Sequence, residues 1–155
     1  MNKWDKRFLD LAEYFSAWSK DPSTKVGCVL GFPEEKEFTT YGFNGFAKGE
    51  SDDIELYLNR EYKYENVIHA EINALSKLSR FGPRGYTLYT NFPPCPDCTN
   101  AIVRSGYVNR IVSYNLSHHV LTKSPEWLTE WSERLRKTWG ILDKAGIPME
   151  LHTHE

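Results

Sequence analysis

Apolar positions along the chain fall first at helical and then at strand spacing. Trp4, Phe8, Leu11, Ala12, Phe15 and Trp18 recur behind Asn2, a suitable N-cap, and predict an amphipathic helix ending near Lys20-Asp21-Pro22. Lys25 to Gly31 reads as a short buried strand built on Val26-Gly-Cys-Val-Leu30, and Pro33-Glu34-Glu35-Lys36 turns the chain. Glu37 to Phe43 then reads as its antiparallel partner. Residues 44 to 66 are irregular, with a short helix expected within Ile54 to Tyr64. Ile68, Ile72 and Leu75 share one face of a helix expected to run to about Ser79. Beyond it come a strand at Tyr86 to Asn91, a helix at Asp97 to Ser105 and a strand at Asn109 to Tyr114. A last helix carries Trp127, Trp131, Leu135 and Trp139 at near four-residue steps, a stripe read as core packing, and stops at Gly146 and Pro148. Met149 to His152 adds an edge strand. Strand and helix alternate after residue 66, which predicts an α/β fold with helices on both faces of a sheet.

Composition narrows the function. The chain has 155 residues, 40% hydrophobic, enough for one compact domain over 1–155. Its net charge of −2 lacks the basic excess that phosphate neutralisation asks of a protein living on nucleic acid, so a small ligand is expected rather than a polymer. The charged start Met1 to Arg7 has no apolar signal-like core, and the longest apolar stretch, Val26 to Phe32, is too short for a bilayer. A cytoplasmic protein without membrane partners is expected. Two of three cysteines stand close together as Cys95-Pro-Asp-Cys98, which in a reducing compartment points to metal or redox chemistry.

Two segments carry the chemistry, His69-Ala70-Glu71 and Pro94-Cys95-Pro96-Asp97-Cys98. One imidazole and two thiolates make a three-donor set suited to zinc, leaving the fourth tetrahedral position for water. Each cysteine falls in the first turn of an expected helix, where free N–H groups favour thiolates, and Pro96 fits that turn because its missing N–H needs no partner there. Glu71, two residues beyond His69, is better placed as a proton carrier than as a ligand. Hydrolytic deamination of cytosine asks for that arrangement: water must attack ring carbon 4, ring nitrogen 3 must gain a proton, and ammonia must leave with another. The two segments together match the H-x-E…P-C-x-x-C signature of zinc deaminases. A closed structural zinc site would need a fourth protein ligand, for which Cys28, His118 and His119 are candidates, and would leave Glu71 without a task.

With these segments the chain resembles the cytidine/deoxycytidylate deaminase superfamily, and within it the dCMP deaminases. The likeness extends over Ser19 to Gly27, Gly42-Phe43-Asn44-Gly45, His69 to Ala74, Phe92 to Cys98, Ala101 to Gly106 and Arg110 to Val112. It implies a three-layer α/β/α fold around a mixed sheet of about five strands. It implies one catalytic zinc held by His69, Cys95 and Cys98, with Glu71 as general acid/base, and a contact from Asn44 to the nucleotide. It further implies conversion of dCMP to dUMP, activation by dCTP and inhibition by dTTP with magnesium at a regulatory site around Gly42, Phe43, Asn44 and Gly45, and a homo-oligomer, commonly a hexamer. Phe43 stands where such proteins usually carry tyrosine, and Tyr114 and His118 are both candidates to cap the base. Lys20, Lys25, Lys48 and Arg104 are candidates for the substrate phosphate. The competing readings are a tRNA adenosine deaminase, which should be more basic, and a zinc-stabilised nucleotide sensor without turnover.

Overall fold

The computed structural model describes residues 1–154, apart from the side chains of His118 and His119. Helix α1 (Lys3–Ser16) opens on a capping box in which the Asn2 side chain and Asp5 satisfy each other's backbone N–H groups. Strands β1 (Gly27–Phe32) and β2 (Glu37–Phe43) form an antiparallel pair. Then come α2 (Ile54–Leu58), α3 (Arg60–Asn66), α4 (Ala70–Leu75), β3 (Tyr86–Thr90), α5 (Pro96–Ser105), β4 (Val108–Tyr114), α6 (Pro125–Ala145) and β5 (Met149–His152). The sheet has five strands in the order β2-β1-β3-β4-β5. β1 runs antiparallel to β2 and β3, whereas β3, β4 and β5 are mutually parallel, so the sheet is mixed, as expected.

Alternation along the strands divides the core in two. Val29, Tyr89, Val112 and Tyr114 meet Phe8, Leu9, Ala12 and Phe15 of α1 on one face. Cys28, Leu30, Leu88 and Ile111 meet Ala70 and Ala74 of α4, Ile102 of α5 and Leu142 of α6 on the other. Two glycines set the depth of these contacts. A Cβ on Gly27 would lie 1.9 Å from the Ala12 carbonyl oxygen of α1, and one on Gly42 would lie 2.3 Å from the Ala70 carbonyl oxygen of α4. Either helix would have to lift off the sheet to admit it.

Several expected boundaries move. α1 stops at Ser16, leaving Trp18 44% exposed and edge-on to Tyr41 and Phe43 rather than in the core. The single helix expected within 54–64 is two, broken at Asn59, whose extended backbone lets its side chain cap α3 through the Tyr62 N–H. α4 ends at Leu75 because the Ser76 hydroxyl turns back onto the Asn73 carbonyl and the next N–H groups of Lys77 and Leu78 bond three residues back. In α6 the buried positions are Thr138 and Leu142; Trp139 is 39% exposed, while Trp127 and Trp131 are half-buried against Phe92. The stripe therefore covers the loop that carries the cysteines more than it fills the core.

Across the α1 face runs a buried ion pair. Asp5, 1% exposed, takes two hydrogen bonds from Arg110 at 2.8 and 2.9 Å and one from the Tyr89 hydroxyl at 2.7 Å. Burial alone would raise the Asp5 carboxyl, but the Arg110 and Tyr89 hydrogen bonds and the Arg110 charge outweigh it and hold it below the ordinary value. Its contribution is therefore present above the unfolded carboxyl pKa of about 3.9 and is lost as pH falls through the lower folded value. Asp5→Asn should cost about 2–3 kcal/mol at pH 7, less than a fully enclosed pair because Arg110 keeps Glu150 and some solvent. Urea unfolding at pH 7 and pH 3 should show the gap between wild type and variant narrowing in acid; an unchanged gap would contradict this assignment.

Candidate active site

The C-terminal ends of β2 and β3 meet the starts of α4 and α5 at one end of the sheet. β2 leads to Gly45, whose N–H and C=O both pair with Ile68, at 3.1 and 2.8 Å, and this bridge delivers His69 as the N-cap of α4. Asn73 of α4 then donates to the Phe43 carbonyl at 2.8 Å, tying the helix to the end of β2. β3 leads through Phe92-Pro93-Pro94 to Cys95, the N-cap of α5, whose sulfur accepts the Cys98 N–H at 3.4 Å. Pro96 occupies the first turn of that helix, as the sequence predicted.

These elements bring His69, Cys95 and Cys98 together. His69 Nδ1 lies 3.6 Å from Cys95 Sγ and 3.2 Å from Cys98 Sγ, and the three donor atoms all fall within 4.8 Å of one another. Zinc bonds of about 2.3 Å to sulfur and 2.0 Å to nitrogen at tetrahedral angles require N···S edges of about 3.6 Å, so the donor set fits that ion. Among the described residues no further His, Cys, Asp or Glu joins the group; Cys28 stays a neutral core thiol, pushed well up by burial. The side chains of His118 and His119 lie outside the described residues.

The charges also call for a cation. The Cys98 thiol hydrogen bond holds Cys95 well below its ordinary value, and Cys98 is raised by the same bond. His69 is raised, first by its hydrogen bond with Cys95. A divalent ion held by His69, Cys95 and Cys98 would take the place of protons on these donors. Glu71, 3% exposed and two residues beyond His69, is raised by burial, against the lowering effects of the His69 charge and of Cys98. A buried carboxyl that readily takes a proton thus borders the donor trio. A cavity of about 310 Å3 opens beside His69 and Cys98, lined also by Val67, Ile68, Ile72 and Asp97.

Other expected site residues lie elsewhere or are already engaged. Tyr114 sits on the α1 face, its hydroxyl donating to Asp10 at 3.3 Å and its ring 4.1 Å from that of His154, so it is not brought to the His69 trio. Asn44, 6% exposed, accepts the Val26 N–H at 2.8 Å and donates to the Thr24 carbonyl at 2.9 Å and Asp21 at 3.4 Å. Asn91 makes the matching pair of bonds to Gly27 N–H and the Lys25 carbonyl, so two asparagines from adjacent strand ends fix residues 24–27. Asp21 is fully buried and paired with Lys63 at 2.7 Å. Sequence reading missed Asn91, Asp21 and Lys63, because the partners lie tens of residues apart and no local pattern announces them. Of the phosphate candidates, Lys25 is spent on the Ser19 carbonyl, and Lys20 and Lys48 are exposed.

Comparison with known proteins agrees with this geometry. The model of the cytidine and deoxycytidylate deaminase zinc-binding region matches residues 2–115. The chain is 31% identical to an uncharacterized deaminase in the luxG 3′ region of Aliivibrio fischeri, over 95% of this chain and 92% of that one. It is 30% identical to mouse deoxycytidylate deaminase over 76% of this chain and 67% of the relative. It shares its fold with the crystal structure of apo dCMP deaminase from cyanophage S-TIM5, at a TM-score of 0.71 and 24% identity over 98% of this chain and 100% of that one. The zinc-fitting trio, the adjoining carboxyl and the matched span lead to one conclusion: the chain belongs to the cytidine and deoxycytidylate deaminase zinc-binding family.

Proposed function

We propose that the protein hydrolyses dCMP to dUMP and ammonia, with zinc held by His69, Cys95 and Cys98 and with Glu71 as the proton carrier. The observation that carries the reading is the buried Glu71 carboxyl beside a three-donor centre with an open fourth position among the described residues. Zinc in that centre supplies Lewis acidity, lowering the pKa of a water toward neutrality. Glu71 accepts the proton that water loses and passes it to ring nitrogen 3 as oxygen bonds carbon 4. It then transfers a second proton, from the new hydroxyl to the amine, so that the C–N bond breaks and ammonia departs. Burial, which raises the Glu71 carboxyl, suits it to both halves of this exchange. The cavity of about 310 Å3 is in the range of small-ligand sites, roughly 300–1,000 Å3, and is the proposed entry for the base.

The choice of dCMP is supported by relatives named deoxycytidylate deaminase from mouse and human, each covering 76% of this chain. Asn44 Oδ1 retains a second lone pair for a sugar hydroxyl, although its amide chiefly frames residues 24–26. The net charge of −2 weighs against an RNA substrate. We place the enzyme in the cytoplasm, where thiolate ligands stay reduced, and propose a homo-oligomer, up to a hexamer. We also propose control by dCTP as activator and dTTP as inhibitor, with magnesium, at Gly42–Gly45. Gly42 is already closed against α4, so an effector there would meet the chain at Phe43, Asn44 and Gly45.

Ammonia release from dCMP, deoxycytidine and adenosine-containing RNA tests the substrate. We expect efficient turnover of dCMP alone and a loss of at least ~100-fold in Glu71→Gln with zinc retained; equal rates on deoxycytidine would defeat the assignment. Because His69 and Cys98 are both raised, zinc uptake at neutral pH should expel at least about one proton per ion and weaken as pH falls. Calorimetry in buffers of differing ionisation enthalpy reads that number, and zinc binding without proton release would contradict the ligand set. Adding dTTP should depress dCMP turnover and dCTP should restore it. If neither changes rate or Tm, the regulatory proposal is wrong.

A further inference from the structure

The turn that presents Cys95 cannot hold itself. In Phe92-Pro93-Pro94-Cys95-Pro96 three of five residues have no N–H, so the backbone lacks the donors that usually fix a tight turn. Its first four residues are nevertheless buried, and their carbonyls need partners. Three threonines, each 0% exposed, partner three of these four carbonyls, and the Cys95 carbonyl also accepts the Thr99 N–H at 2.9 Å. The Thr90 hydroxyl donates to the Phe92 carbonyl at 2.9 Å and accepts the Phe92 N–H at 3.3 Å. The Thr99 hydroxyl donates to the Cys95 carbonyl at 2.8 Å. From α6, 44 residues away in sequence, the Thr138 hydroxyl donates to the Pro94 carbonyl at 2.9 Å and lies 3.4 Å from the Thr99 hydroxyl.

Thr90 and Thr99 belong to the strand and helix that flank the turn. Thr138 does not: it comes from a helix beyond the residues 2–115 matched by the family, a helix whose buried positions are Thr138 and Leu142. We propose that Thr138 is a positioning residue of the metal centre: its hydroxyl pins the Pro94 carbonyl and thereby fixes Cys95 Sγ against His69 and Cys98. α6 on this account braces the site through one hydrogen bond, and Trp127 and Trp131 on Phe92 shield that turn from solvent. The inference rests on the zinc reading above. Loss of such a supporting contact ordinarily lowers metal affinity or activity by about 10- to 100-fold.

Zinc transfer from the loaded protein to a chromogenic chelator measures this apart from turnover. Thr138→Val keeps the side-chain shape and removes the hydroxyl, and should speed zinc release about 10-fold or more and lower kcat for dCMP more than it alters KM. Thr138→Ser should release zinc within about 2-fold of wild type. Thr138→Ala, smaller than either, gives the same comparison with Ser should the Val protein not fold. Leu142→Ala is the packing control: it should lower Tm while zinc release stays at the wild-type rate. If Val and Ala variants lose Tm yet release zinc as slowly as wild type, Thr138 only stabilises the fold and the proposal is overturned. If wild type itself takes up no zinc, the metal assignment fails instead, a separate and recognisable result.

Discussion

Two thiolates side by side in a buried corner repel one another unless a cation offsets their charge. Cys95 is lowered chiefly by its hydrogen bond with Cys98, Cys98 is raised by the same bond, and His69 is raised first by its bond with Cys95. The sulfur donors accordingly stand at the start of a helix, Cys95 as the N-cap of α5 and Cys98 in its first turn, where free N–H groups favour thiolate, with the buried Glu71 carboxyl in the first turn of α4. A metal, a water and a proton carrier in a dry corner are the requirements of amide-like hydrolysis at an aromatic ring.

Most of the scaffold serves to hold that corner rigid. Gly27 seats α1 and Gly42 seats α4 on opposite faces of the sheet, each by backbone contact too close for a Cβ. Asn44 and Asn91 clamp the entry to β1 from the neighbouring strand ends, and the Gly45–Ile68 bridge sets the start of α4. The motif Gly42-Phe43-Asn44-Gly45 thus has a mechanical task in placing His69, whatever else binds there.

The candidate donors His69, Cys95 and Cys98 and the succession of elements along the chain were legible because their signals are local: a strand shows in period-two burial, and a candidate ligand pair shows in C-x-x-C spacing. β2, β4 and β5 fall close to where apolar alternation put them. Two of the misses are non-local, and a third, the end of α4, is a local competition. Which face of β4 looks toward His69 is decided by where α1 docks, so Tyr114 could not be assigned from alternation alone. Thr138 carries no periodic signal, standing one residue from a tryptophan stripe that suggested core packing. The end of α4 at Leu75 turned on one serine hydroxyl competing for a carbonyl, a detail that apolar spacing does not register.

X-ray absorption at the zinc edge of the loaded protein reads the donor count directly. Two sulfurs at about 2.3 Å and two lighter donors at about 2.0–2.1 Å, one of them exchangeable with solvent, are the expected shell. Three sulfurs, or four donors all from protein, would mean a closed structural site and contradict the account.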